Sequence, residues 1–182
     1  MQLLKQKPVL ARLLAFACDW LLIAAWGALW FVVIWWQSGG EPQGFSNPWL
    51  SQGVAFLAMT LPATLYFSLL EASPSGASLG KRALGLWVRS KSGGRLGLGR
   101  ALLRNAIKFV PWELGHLVVH QAFYSGESGL PAWLYAPLAL SYLLPLWWLV
   151  SLVRTGRTPY DVWAGARVQG DGASAAKASP TG

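Results

Sequence analysis

The 182-residue chain carries fifteen Lys and Arg against seven Asp and Glu, a formal net charge of +8, yet 54% of its residues are hydrophobic and only 12% charged. The apolar residues come in long blocks rather than amphipathic stripes, which excludes an ordinary soluble domain. Cys18 is the only cysteine, so an internal disulfide is excluded as well.

The first block runs from Leu13 to Trp36 and holds one charge, Asp19. As a helix it is about 36 Å long, enough to cross a hydrocarbon core of roughly 30 Å. A signal peptide would have a shorter apolar region and a small-residue cleavage site, whereas this block ends in Trp35-Trp36. A carboxylate inside a spanning helix costs roughly 2.5–3.5 kcal/mol, so Asp19 must face protein or water and have a partner. Arg12 shares nearly the same face but lies about 10 Å away along the axis, and helical side chains lean toward the N-terminus, away from Asp19. Each residue must therefore look to another segment.

The connector 37–49 has no Lys or Arg and is rich in Gly, Pro and Ser. A second uncharged block, 50–70, contains Pro62. Glu71 then opens a polar region with Lys81, Arg82, Arg89, Lys91, Arg95, Arg100 and Arg104. Within it, Ser78–Leu84 reads as a short helical turn with Ser78 as N-cap. The alternation over Leu84–Arg89, the turn Lys91-Ser92-Gly93-Gly94 and the run Arg95–Leu98 predict a hairpin, to which Ala166–Gln169 could add a third strand. Asn105–Tyr124 is apolar enough to span but holds Lys108, Glu113, His116 and His120; 130–153 is an uncharged span with Pro137 and Pro145 as kinks. Residues 170–182, mostly Ala, Ser and Gly, read as a disordered tail.

Parity decides whether 105–124 crosses. Both ends of the chain are basic, and both are cytoplasmic only if four segments cross: about 13–36, 50–70, 105–124 and 130–153. All fifteen Lys and Arg then lie on the cytoplasmic side or at cytoplasmic helix ends, so the positive-inside rule accounts for the charge without nucleic acid. The expected fold is an all-α membrane protein, a four-helix transmembrane bundle in a single domain over 1–169, with a small cytoplasmic β-hairpin or three-stranded sheet. It belongs in the inner membrane of a bacterial cell, with both termini cytoplasmic. Trp35, Trp36, Trp49 and Trp133 form the outer aromatic belt.

Arg12 at the start of the first helix, with Asp19 inside it, resembles the RDD family of membrane proteins, named for one arginine and two aspartates. So do Ser78-Leu79-Gly80-Lys81-Arg82-Ala83-Leu84-Gly85, then Gly93-Gly94-Arg95-Leu96 and Arg100-Ala101-Leu102-Leu103-Arg104-Asn105. The closing Arg157-Thr158-Pro159-Tyr160-Asp161-Val162-Trp163-Ala164-Gly165 is similar to the family's C-terminal motif, with Asp161 as the second aspartate. The resemblance covers residues 8 to 169. The family usually has a His where this chain has Tyr160. It implies an integral membrane protein, sometimes proposed to transport ions or small ligands.

Three constellations carry the possible chemistry. Arg12, Asp19, Lys108 and Asp161 form an intramembrane charge network, either an ion path or an ion-paired lock on helix packing. Asp19 and Lys108, at similar depth and of opposite charge, are the expected pair. Glu113, His116 and His120 share one helical face and suit a proton relay near neutral pH; the alternative is hydrogen bonding across the bundle. A metal site there lacks further ligands, so no metal and no cofactor are expected. Glu71 with Lys81, Arg82 or Arg100, beside Arg104, forms a loop salt bridge or an anion contact. No nucleophile stands at helical spacing from a base, and no dinucleotide loop follows a strand, so enzymatic activity is not expected. Two functions remain: an oligomeric transporter, with proton-coupled cation exchange as its form, or a non-transporting membrane protein whose cytoplasmic surface recruits a partner.

Overall fold

A computed structural model describes residues 8–41, 44–126 and 129–170. Helix α1 (Pro8–Gln37) takes 30 residues. Helix α2 (Pro48–Ala55) starts from Asn47, whose side chain accepts the Leu50 amide at 2.9 Å. Pro48 follows at the first position, where its missing N–H costs nothing. A five-residue π segment, Phe56–Thr60, then carries the helix into α3 (Leu61–Ala72). Pro62 accounts for the wide turn, because it has no amide to offer the Ala58 carbonyl four residues back. The Leu61 amide reaches back to the Phe56 carbonyl instead, and Trp26 Nε1 of α1 donates to the freed Ala58 oxygen at 2.8 Å.

Beyond α3 come α4 (Leu79–Ala83), β1 (Leu86–Ser90), α5 (Leu98–Ser125) and a 3-10 turn at Ala132–Leu134. Helices α6 (Tyr135–Thr155) and α7 (Pro159–Trp163) and strand β2 (Ala166–Gly170) follow. Three helical stretches, Val9–Gln37, Pro48–Ala72 and Ala132–Thr155, are long and apolar enough to cross a membrane. Helix α5 has 28 residues, about 42 Å, but carries Arg100, Arg104, Lys108 and Glu113. It starts at Leu98, seven residues before the predicted span.

The long helices alternate in direction. Asp19 faces Tyr66 and Trp26 faces Ala58, so α1 runs antiparallel to α2 and α3. Ser51 faces His120, Thr60 faces Glu113, and Glu71 faces Arg104, so α5 runs antiparallel to them in turn. Gly115 lies beside Ser141, which puts α6 on the opposite flank of α5. Leu21, Trp36, Phe123 and Tyr142 are exposed on the outside of this group, as expected for helices that are apolar all round.

At one end, here the sheet end, β1 and β2 pair antiparallel with Leu86 opposite Gly170 and Ser90 opposite Ala166. Val88, Leu96, Ala101, Ala164 and Ala166 form the core beneath them. The expected hairpin is corrected here. Lys91–Gly94 does turn, closed by the Ser90 amide on the Gly94 carbonyl at 2.9 Å, but it yields only an isolated bridge between Arg89 and Arg95. Leu96 plunges into the core and α5 begins two residues later, so among the described residues the sheet has two strands and no third. Gly170 belongs to β2 rather than to the tail, whose remaining residues, 171–182, lie outside the described residues.

Candidate functional site

Asp19 is fully buried where α1 meets α4. Its Oδ2 accepts Ser78 Oγ at 2.6 Å, and its Oδ1 accepts the Tyr66 hydroxyl and the Gly80 amide, each at 2.8 Å. Residue 80 must be glycine for this approach, since a Cβ there would overlap the Ala15 carbonyl oxygen and sit 2.9 Å from Asp19 Cγ. Ser78 stands at the N-cap position as predicted, but its hydroxyl is spent on Asp19 and makes no cap bond.

Asp19 and Lys108 do not pair, contrary to the expectation from depth. The face of Asp19 is covered by α4. Lys108 Nζ instead lies 3.3 Å from the centre of the Phe67 ring and 5.1 Å from that of Phe16. Matching depth along two helices left their rotations undetermined.

The other charges form one chain across five elements. Lys81 Nζ of α4 donates to Glu71 Oε1 at 2.9 Å, and Arg104 Nη1 of α5 reaches both Glu71 oxygens at 2.7 Å. Arg104 Nε and Nη2 hold Asp161 Oδ1 of α7 at 2.8 and 2.7 Å. Asp161 Oδ2 meets Arg12 Nη2 of α1 at 2.5 Å, and Arg12 also caps the end of α6 through the Gly156 carbonyl at 3.1 Å. Asn105 Nδ2 adds 3.0 Å to Glu71 Oε2. Burial alone would raise the Asp161 carboxyl, but the Arg104 and Arg12 guanidiniums outweigh it and hold the group well below the usual carboxylate range. Burial pushes the neighbouring Tyr160 hydroxyl up. Of the partners expected for Glu71, Lys81 is found; Arg82 and Arg100 turn instead to Ser75 and Ser90.

A second polar group lies farther from the sheet. Glu113 accepts the Thr60 hydroxyl at the last residue of the π segment, and His116 Nδ1 stands 3.7 Å from the same carboxylate. His120 Nδ1 bonds Ser51 Oγ at 2.9 Å, and the two imidazoles are 6.1 Å apart. The predicted trio is therefore brought together on one side of α5. An apolar layer of Ile23, Ala63, Phe67 and Phe109, with Trp20 and Trp112 in contact at 4.7 Å, separates it from the charges at the sheet end. Among the described residues no three His, Cys, Asp or Glu converge to hold a metal.

A groove of about 620 Å³ runs along α5 between α1 and α6. Arg12, Lys81, Arg104 and Lys108 line its sheet end, while Phe16, Trp112, Leu138 and Leu149 are among its apolar walls.

Apolar spanning helices over a buried ion-pair chain define a helix-rich membrane protein. The family model of the RDD family matches residues 7–165, and the chain belongs to that family. No curated protein and no solved structure matches it.

Sequence reasoning missed Tyr66, Asn105, Thr60 and Ser51 as partners. The signal was present for three of them: Ser51, Thr60 and Tyr66 are hydroxyls in the uncharged block 50–70. Arg104 was expected at the edge of the loop cluster and proves to be its centre.

Proposed function

We propose that this protein is a four-crossing transporter of the cell membrane that exchanges protons for a cation, with both termini cytoplasmic. The alternating helix directions support four crossings, α5 included. Every Lys and Arg among the described residues lies on the sheet side of Trp112, which the positive-inside rule assigns to the cytoplasm.

The observation that carries transport is Glu113 with His116 and His120, set against the π segment and the hydroxyls of Thr60 and Ser51. Ionisable groups at membrane depth are costly and mark ion or proton paths, and π turns recur at functional sites. In this reading Glu113 exchanges a proton for the cation, and the two imidazoles beside it relay that proton. Exchange requires the Trp20–Trp112 layer to open toward the sheet end. Asp19, with all three of its bonds inside the protein, holds α4 in place and carries no ion.

The test is reconstituted flux read by a pH-sensitive dye, with Na⁺, K⁺ and Li⁺ in turn. Glu113→Gln should abolish exchange in a folded, inserted protein, and His116→Gln with His120→Gln should move its pH optimum. Equal leak from wild type and Glu113→Gln for every cation would remove the exchange reading. A non-transporting membrane protein would then stand, a reading favoured by one observation: both Glu71 and Asp161 are ion-paired within the protein.

A further inference from the structure

The groove between α1 and α6 is on the side of α5 away from α2 and α3, and its lining is unusual in sign. Four cations line it, Arg12, Lys81, Arg104 and Lys108, and no Asp or Glu does. The carboxylates of Asp19, Glu71 and Asp161 all lie behind the cations, fully buried. Four basic side chains stand against three carboxylates, so one has no carboxylate of its own. That one is Lys108, whose Nζ has neither a hydrogen-bond nor an ion-pair partner among the described residues and lies over the rings of Phe67, Phe16 and Phe109. A charge held at that depth without a counter-ion is costly. A second observation points the same way. Trp148 Nε1, on a residue that lines the groove, is buried with no hydrogen-bond partner. Buried polar atoms are seldom left so.

The rest of the groove is shaped for hydrocarbon. It follows α5 from Arg104 to Val119, about 22 Å, which exceeds one leaflet of a core roughly 30 Å thick. Its edges are open sideways, for Leu13, Phe16, Val119, Tyr142 and Leu149 line it and are also exposed on the outer surface. A ligand entering from the bilayer would pass between α1 and α6 without leaving lipid.

We propose that this groove is a binding site for an anionic phospholipid from the leaflet at the sheet end. Its phosphate lies against Lys108, Arg12 and Lys81, and an acyl chain lies along α5 toward Val119. Basic pockets between membrane helices recognise acidic headgroups in this way. The site does not depend on transport: neither Glu113 nor Thr60 lines it, and only its far end reaches His116.

The experiment uses the full-length protein in vesicles of equimolar phosphatidylglycerol and phosphatidylcholine, extracted in mild detergent and weighed by native mass spectrometry. Wild type should retain phosphatidylglycerol over phosphatidylcholine by about fivefold or more, the worth of one basic side chain at a charged headgroup. Lys108→Gln should bring the ratio close to that of the bulk mixture, and Lys108→Arg should restore it. Free glycerol phosphate in excess should not displace the lipid, because it lacks the chain. Equal retention of both lipids by wild type would overturn the proposal. So would an unchanged preference in Lys108→Gln, displacement by glycerol phosphate, or a dimer that forms with the groove closed and lipid excluded. The wild-type ratio needs no variant, so a variant that fails to fold leaves the test intact.

Discussion

Arg12 and Asp161 are 149 positions apart in the sequence and meet at 2.5 Å, so their contact ties the first long helix to the last short one. Arg12→Met leaves Asp161 with Arg104, which still holds it at 2.7 and 2.8 Å. The loss is then one buried hydrogen bond between charges, about 1.5–3 kcal/mol, because water can replace the exposed bond to the Gly156 carbonyl. Asp161→Asn is worse. It takes the carboxylate from Arg104, whose side chain is only 2% exposed, and leaves that guanidinium with Glu71 alone. Breaking one side of a buried pair costs about 3–5 kcal/mol. In the double variant the Arg12 charge no longer faces an amide, so the combined loss should fall short of the sum by about 1–3 kcal/mol. The assay is thermal and denaturant unfolding of the detergent-solubilised full chain for all four members of the cycle. Additive losses would show that the two side chains do not depend on each other, and the tie between α1 and α7 would have to be abandoned.

Gly80→Ala should destabilise the protein more than Ser78→Ala in the same assay. The alanine drives α4 off α1 and costs Asp19 both the Gly80 and Ser78 bonds, about 3 kcal/mol or more, whereas Ser78→Ala costs it one; the reverse order would refute the close approach. The folded Asp161 carboxyl lies below its unfolded value of about 3.9, so its contribution is complete above that pH and is lost as pH falls toward the folded value. The stability gap between wild type and Asp161→Asn should therefore be constant down to about pH 5 and shrink below about pH 4. A gap that widens with acid would mean the carboxyl is not held in its charged form.

What the sequence made legible was whatever depends on position along one helix. The apolar blocks of α1, α2 with α3, and α6 follow from uncharged runs, and Glu113, His116 and His120 meet because their spacing puts them on one face of α5. Rotation of one helix against another was not legible. Asp19 and Lys108 match in depth, yet α4 intervenes, and only the missing side chain of Gly80 hints that a second backbone comes that close. The sheet was misread for a related reason. Local alternation identifies strands but not partners, and β1 finds β2 eighty residues on because Leu96 is needed in the core. The π turn was likewise hidden: Pro62 announces a missing donor, but not that Trp26 would supply another.

The spacing of these bonds along the chain sets an order of assembly during synthesis. Asp19 is satisfied once residue 80 has emerged, 61 positions later, and Glu71 gains Lys81 after 10 and Arg104 after 33. Arg12 must wait for Asp161, which at 5–20 residues per second means roughly 7–30 s after Arg12 itself is made. Over the last 57 positions of that interval two guanidiniums, Arg12 and Arg104, wait for the carboxylate that joins them. A copy truncated before α7 leaves Arg104 with Glu71 alone and Arg12 without a carboxylate. The Asp161 motif thus completes the ion-pair chain, and it does so last of all its members.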